Sequence, residues 1–260
     1  MTVVIMTDLE GVSGVSLDTQ MDGEGYLYAC DRLIADTNAA IAGCFDGGAE
    51  RVFIVDGHGS GENMDASKID PRAQKLSIPD WMERTRRGEV DLYMEVGAHA
   101  KPGTLNAFLD HVQSSVKWFE YTINGVSYGE IAQGAIFCGA FDVPFVMVSG
   151  DRAACDEAKG LLGDVVCAEV KYGVGRNRAQ CLENDVAEEK IRTAAQHAMK
   201  LYGKAKPFKL PMPLNIELVH TRSDYCDETM VRHPEFERID ARKVRRVVEK
   251  IEYYGDILFW

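Results

Sequence analysis

The chain has 260 residues, 46% hydrophobic and 27% charged, the balance of a folded protein with room for one large domain or a domain and a smaller appendage. Its 29 Lys and Arg against 41 Asp and Glu give a net charge of -12, which argues against nucleic acid or an acidic membrane surface as partner, since both need clustered cations. Seven cysteines with no C-x-x-C pair argue against a disulfide scaffold and for a reducing compartment.

Val3-Val4-Ile5-Met6 reads as a short buried strand with no basic n-region or apolar h-region before it. No apolar run approaches the ~18 residues of a membrane span, so the expected location is cytoplasmic. Thr7-Asp8-Leu9-Glu10-Gly11-Val12-Ser13-Gly14 follows. Residues two apart in an extended chain point to one side, so Asp8 and Glu10 would present paired carboxylates at the carboxyl end of the strand, where open α/β sheets place ligands. Such a pair favours a shared proton, a cation or a metal. An Asp capping the next turn beside a solvated Glu also fits this segment alone.

Tyr26 to Phe45 has apolar residues at spacings of three and four and predicts an amphipathic helix, stopped by Gly47-Gly48. Arg51 to Val55 is a second strand running into Asp56-Gly57-His58-Gly59, which makes a βαβ unit with parallel strands. Asn63 to Thr85 is mixed, with a Pro-initiated turn or helix around Pro79 to Arg87. Asp91 to Val96 is a third strand, ending in Gly97-Ala98-His99-Ala100. A lone loop histidine is commonly just solvated or hydrogen-bonded. Asp8 with Glu10, then His58, then His99, all at one sheet edge, make a metal site the better reading.

Lys101 to Ser115 is a loop containing His111. Trp118 to Ile123 and Val126 to Tyr128 flank Asn124-Gly125, the preferred type I′ hairpin dipeptide. Glu130 then opens an apolar helical stretch, Ile131 to Phe141, where either the helix dipole or a functional role accounts for it. Val143 to Val148 is a strand, Ser149 to Arg152 a turn in which Asp151 serves as a cap or lines a pocket, and Ala153 to Leu162 a helix. Val165 to Lys171 is a strand, and Tyr172 to Arg178 a Gly/Arg-rich loop lacking phosphate-binding spacing. Asn184 to Tyr202 is a strong helix. The prolines of Lys204 to Pro213 mark the boundary between a metal-binding domain, 1–205, and a smaller α+β subdomain, 206–260. The latter holds a strand (Leu214 to His220), a polar helix (Asp224 to Val231), a strand-like stretch (Phe236 to Val247) and an apolar end (Ile257 to Trp260). The expected fold is thus α/β, a mostly parallel central sheet flanked by helices.

Asp8, Glu10, His58, His99 and Glu130 offer five N/O donors, a set that suits Zn(II) or Mn(II). Catalytic zinc usually takes three protein ligands, so five suit two metals sharing a bridging carboxylate, the arrangement used for hydrolysis.

The Asp8 motif, Asp56-Gly57-His58, Gly97-Ala98-His99-Ala100, Asn124-Gly125 through Gly129-Glu130, and Asp142-Val143-Pro144 through Gly150-Asp151-Arg152 resemble, in order and spacing, the DppA-type zinc D-aminopeptidases associated with dipeptide-permease operons. The resemblance covers most of residues 1–200, and its most specific piece is Asp-x-Glu-Gly-x-Ser-Gly. It implies two zinc ions per subunit, with Asp8 bridging and Glu10, His58, His99 and Glu130 completing them. His111 falls where the family has its catalytic histidine, with Asp110 and Val112 in place of the family's flanking serines. A neighbouring Asp would raise its pKa and favour an acid or oxyanion-stabilising role. The resemblance also implies a self-compartmentalising homo-oligomer of stacked pentameric rings. The leading reading is a metallo-aminopeptidase that removes a D-residue from the start of short peptides. A dinuclear hydrolase of another small amide and a metal-stabilised binding protein without turnover are the competing readings.

Overall fold

Alternation along the first strand decides how the layers stack. The structure, a computed structural model, describes residues 1–259. Trp260, expected in the apolar end, lies outside them. The first half of the chain runs β1 (Thr2–Thr7), α1 (Gly23–Asp46), β2 (Arg51–Asp56), β3 (Ala73–Leu76), α2 (Ile78–Arg86), β4 (Leu92–Ala98), β5 (Trp118–Ile123) and β6 (Val126–Ser127). The second half continues with α3 (Glu130–Ala140), β7 (Phe145–Asp151), α4 (Arg152–Leu162), β8 (Val166–Gly175), β9 (Arg178–Cys181) and α5 (Asn184–Ala198). It closes with β10 (Leu214–His220), α6 (Ser223–Arg232), β11 (Glu237–Arg238) and β12 (Lys243–Val248).

β1 is buried throughout, with Val3 and Ile5 on one face and Val4 and Met6 on the other. A strand buried on both faces needs cover on both, the condition of a parallel sheet. On the Val3 side, Leu33, Ile41 and Cys44 of α1 and Ile191, Ala195 and Ala198 of α5 share one core. On the Val4 side, α3 and the second sheet supply another, built on Tyr93, Phe137, Tyr121 and Leu218.

The main sheet has the order β3-β2-β1-β4-β7-β8-β9 and is parallel except for β9. The winding reverses between β1 and β4, since β2 and β3 lie to one side of β1 and β4, β7 and β8 to the other. Such a switch point leaves a crevice at the carboxyl edge of the sheet. Thr7 pairs with both Asp56 and Val96, so β1, β2 and β4 finish level around that crevice.

The second sheet is antiparallel, β11-β12-β10-β5-β6. Its central strand β10 alternates buried and half-buried residues from Leu214 to His220. Two of its strands come from residues 118–127, so it is assembled from both sides of the proline-rich segment. Asn124 and Gly125, both at positive φ, make the hairpin turn their sequence predicts.

Three expectations about single elements are corrected. Tyr172 to Arg178 is no loop: β8 continues to Gly175 and folds back as β9, with Gly173 so close to the 106–107 backbone that a Cβ would lie 2.5 Å from the Asn106 oxygen. The mixed stretch Asn63 to Thr85 contains the edge strand β3, half exposed and without an apolar run to announce it. Phe236 to Val247 is split into β11 and β12 by a turn.

Candidate metal centre

The three strand ends at the switch point carry the expected side chains into one crevice. Asp8 and Glu10 follow β1, His58 follows β2 and His99 follows β4, while Glu130 enters from the first turn of α3. Glu10, Asp8 and His99 are buried, and His58, His111 and Glu130 are partly so. Six potential ligand atoms form two groups, Asp8 with Glu10 and His58, and His99 with His111 and Glu130, each with its atoms within 4.8 Å of one another. Asp8 stands between them. Its Oδ1 lies 3.2 Å from His58 Nδ1 and its Oδ2 lies 3.3 Å from His99 Nε2. His58 Nδ1 is also 3.1 Å from Glu10 Oε2, and His99 Nε2 is 3.3 Å from Glu130 Oε1.

Local structure holds these groups in place. The Asp8 N–H donates to the Val96 oxygen and the Gly11 N–H to the Gly97 oxygen, locking the loop after β1 onto the end of β4. Ser13 is fastened by Asp36, which accepts from its N–H and its hydroxyl, and Arg32 donates to the Ser13 Oγ. Asp56 accepts from the Asn63 N–H and side-chain amide, and that amide also donates to the His58 oxygen, shaping the His58 turn. The His111 loop is held by Asp151, which accepts from the Phe108 N–H while capping α4. Asn106, Leu109 and Gln113 in that loop sit at φ of 57°, 51° and 58°, a conformation residues other than glycine rarely adopt and which clusters at functional sites.

The geometry fits metal ions. His99 Nε2 is buried and, despite two carboxylates at 3.3 Å, has no hydrogen-bond partner among the described residues. Ligand atoms converge on a common point there instead of pairing off. Its other nitrogen, Nδ1, lies 3.1 Å from the Ala100 oxygen, the carbonyl partner that orients a metal-binding imidazole. Three carboxylates in one crevice also demand positive charge. Burial works against it, yet His58 and His99 hold the Asp8 carboxyl well below its ordinary range. In turn Asp8 and Glu10 outweigh burial and push His58 up to about 11, and Glu130 and Asp8 push His99 well above its ordinary value. Divalent ions would supply that charge in place of the protons.

His111 joins the cluster, stacked on His99 at 4.0 Å between ring centroids, with Nε2 3.8 Å from both Glu10 Oε1 and Glu130 Oε1. Its Nδ1 lies 2.7 Å from the Leu109 oxygen. The carboxylate expected beside it from the sequence, Asp110, is engaged elsewhere: Asp110 accepts from the Gly103 N–H and faces Arg176. Sequence neighbours along a loop need not face each other, and here Glu10 and Glu130 are the acids nearest His111.

Two buried charged residues flank the site without being singled out by any motif. Lys171, fully buried, donates to the Glu10 and Val15 oxygens at 2.7 and 2.6 Å and lies over the Phe108 ring, so it ties the metal loop to β8. Burial, foremost, pulls it down to about 8. Glu95, 5% exposed, stands on β4 beside the crevice; burial, with Asp8 and Glu130, pushes it up to about 8. The signal for both is a charged residue within a stretch that reads as a strand of the central sheet.

Comparison with known proteins now bears on the crevice. Residues 1–258 match the family described as Peptidase M55, D-aminopeptidase. A D-aminopeptidase of Bacillus subtilis (strain 168) is 30% identical over 220 residues, 81% of this chain and 78% of that protein. The solved Zn-dependent D-aminopeptidase DppA from Bacillus subtilis, described as a self-compartmentalizing protease, superposes with a TM-score of 0.92 at 24% identity, covering 99% of this chain and 96% of that one. Fold and match together define the class, a hydrolase of the aminopeptidase kind built on a doubly wound α/β sheet. Within that class, the chain belongs to the D-aminopeptidase family.

Proposed function

We propose that the chain is a dinuclear zinc aminopeptidase that releases a D-residue from the amino end of short peptides. The observation that carries this reading is the position of Asp8, whose two oxygens face different ligand groups, as a bridging carboxylate would. Glu10 and His58 would complete one zinc, and His99 and Glu130 the other. When bound, the zinc pair supplies Lewis acidity that polarises a carbonyl and lowers the pKa of water. The chain's own residues do the rest. The Leu109 carbonyl accepts from His111 Nδ1, which leaves Nε2 facing the crevice to take up a proton and return it to the departing amine. The free amino group of the substrate would enter the same crevice, whose lining beyond the proposed ligands includes His111, Gln113 and Ser115.

The D configuration and the zinc rest on family membership and on the solved relative, not on side-chain geometry. The self-compartmentalizing relative supports a homo-oligomer, and the stacked pentameric rings that the family resemblance implies are tested by light scattering on the purified protein. Seven free thiols support a cytoplasmic location, and among the described residues no helix is long and apolar enough to cross a membrane.

The test is a panel of D- and L-alanyl peptides with added zinc. The D series is hydrolysed, and His111→Ala lowers turnover by about 10²–10⁴-fold while keeping its zinc. Hydrolysis of the L series alone overturns the specificity, and hydrolysis of neither leaves a metal-stabilised binding protein.

A further inference from the structure

Next to the ligand cluster lies a second cavity of about 320 Å³, which shares Asp8, Gln113 and Glu130 with the crevice. Its walls are mostly apolar: Ile78 and Met82 of α2, Tyr93 of β4, and Tyr254 and Leu258 near the end of the chain. Three carboxyls also line it, and of these Asp8 and Glu130 belong to the ligand cluster while Glu95 stands outside it. It follows Tyr93 by two residues on β4 and so leaves the same face of the sheet. The neighbouring residues of that face, Val4, Met6, Phe53, Val55 and Tyr93, all belong to the hydrophobic core. Glu95 lines the cavity, is 5% exposed, and its Oε2 has no hydrogen-bond partner among the described residues.

A carboxyl buried without a donor is unfavourable, and an apolar side chain of the same shape would serve packing better. What would repay the arrangement is a ligand that brings the missing donor. The amino group of the residue being removed does not need Glu95, because it must sit beside the scissile bond, where Asp8, Glu10 and Glu130 already gather. A cavity with mostly apolar walls and a buried acid beyond those of the ligand cluster instead matches a side chain with an apolar stem and a cationic tip.

We propose that this cavity receives the side chain of the substrate's first residue and that Glu95 selects one ending in an ammonium group, the D-lysine or D-ornithine class. The proposal rests on the aminopeptidase reading above and makes the enzyme choosy where a purely apolar pocket would not be.

The experiment compares zinc-loaded wild type, Glu95→Gln and Glu95→Met on D-lysyl and D-norleucyl dipeptides, since norleucine keeps the lysine stem and lacks only its ammonium. Calorimetry of D-lysine and D-norleucine binding to the same three proteins gives a readout free of turnover. Wild type is expected to favour D-lysyl over D-norleucyl by about 10²-fold in kcat/KM, a preference expressed mainly in KM. Both variants lose that preference and the tighter binding of D-lysine, while hydrolysis of the D-norleucyl peptide is kept. Glu95→Met unfolds at the same or a higher temperature than wild type, whereas a purely structural Glu95 would make it fall. Equal use of both peptides by wild type overturns the proposal and leaves the aminopeptidase reading intact. A loss on Glu95→Gln shared equally by both peptides also overturns it, by assigning Glu95 to the common amino group. If neither peptide is cleaved but D-lysine still binds in a Glu95-dependent way, the aminopeptidase reading falls and the pocket's preference is supported.

Discussion

Gly97 stands against Asp8 so closely that a Cβ on it would come 1.9 Å from the Asp8 oxygen, and its φ is +86°. Gly11 is as tightly placed against Ala98, where a Cβ would lie 2.1 Å from the carbonyl. The loops after β1 and β4 can therefore interlock only through glycine. Gly97→Ala is expected to cost about 2–3 kcal/mol in a denaturant titration and to weaken zinc binding with it. Lys171→Met keeps the stem but orphans two carbonyls, one of them on Glu10, at about 1–3 kcal/mol each. Chelator competition should show weaker zinc binding in this variant, with kcat near normal once metal is saturating. The proposed ligands stand out in the sequence because Asp8 with Glu10, His58 and His99 come at strand ends close to glycines, and Glu130 follows Gly129 at the start of a helix. Lys171 does not, because the strand reads as ending there when it runs on to Gly175, which puts the ammonium inside the protein.

Among the elements, α1 and α5 were readable from spacing alone, since each packs one apolar stripe on the Val3 face of the sheet. β3 and β9 were not, because edge strands need no alternating apolar pattern to pair through their backbones. The meeting of β5 with β10 was equally hidden, for it joins residues about a hundred positions apart by register and not by composition. That sheet carries a pH-sensitive group. His220 ends β10 fully inside, with Nε2 3.0 Å from Thr229 Oγ1, and burial, foremost, holds it below its ordinary pKa against a hydrogen bond with the Lys117 backbone and the Glu228 charge, the Lys117 and Arg238 charges adding to the depression. The folded state thus prefers the neutral ring, and the unfolded chain binds the extra proton. Its contribution is complete above the unfolded pKa of about 6.5 and is lost as pH falls through the folded value, at no more than about 1.4 kcal/mol per pH unit. Unfolding free energies of wild type and His220→Gln between pH 7 and 5 should differ in slope, the variant being flatter. Parallel curves would show that His220 titrates alike folded and unfolded.

At the scale of the molecule, the switch point of the sheet, two cores packed on opposite faces and a net charge of -12 place a concentrated anionic crevice at one edge of a stable frame. Charge repulsion among Asp8, Glu10 and Glu130 is relieved by cations, so removing zinc should lower the unfolding temperature. At free zinc about 1,000-fold above the Kd of each site, the linkage amounts to about 4 kcal/mol per zinc, and a thermal melt with and without chelator reads it. The measurement that bears most directly on the whole account is anomalous diffraction at the zinc edge from crystals of the zinc-loaded protein. Two peaks about 3.5–4 Å apart are expected, with Asp8 between them, Glu10 and His58 on one, and His99 and Glu130 on the other. A single peak, or zinc bound elsewhere while Asp8, His58 and Glu130 turn separately toward solvent, would contradict it.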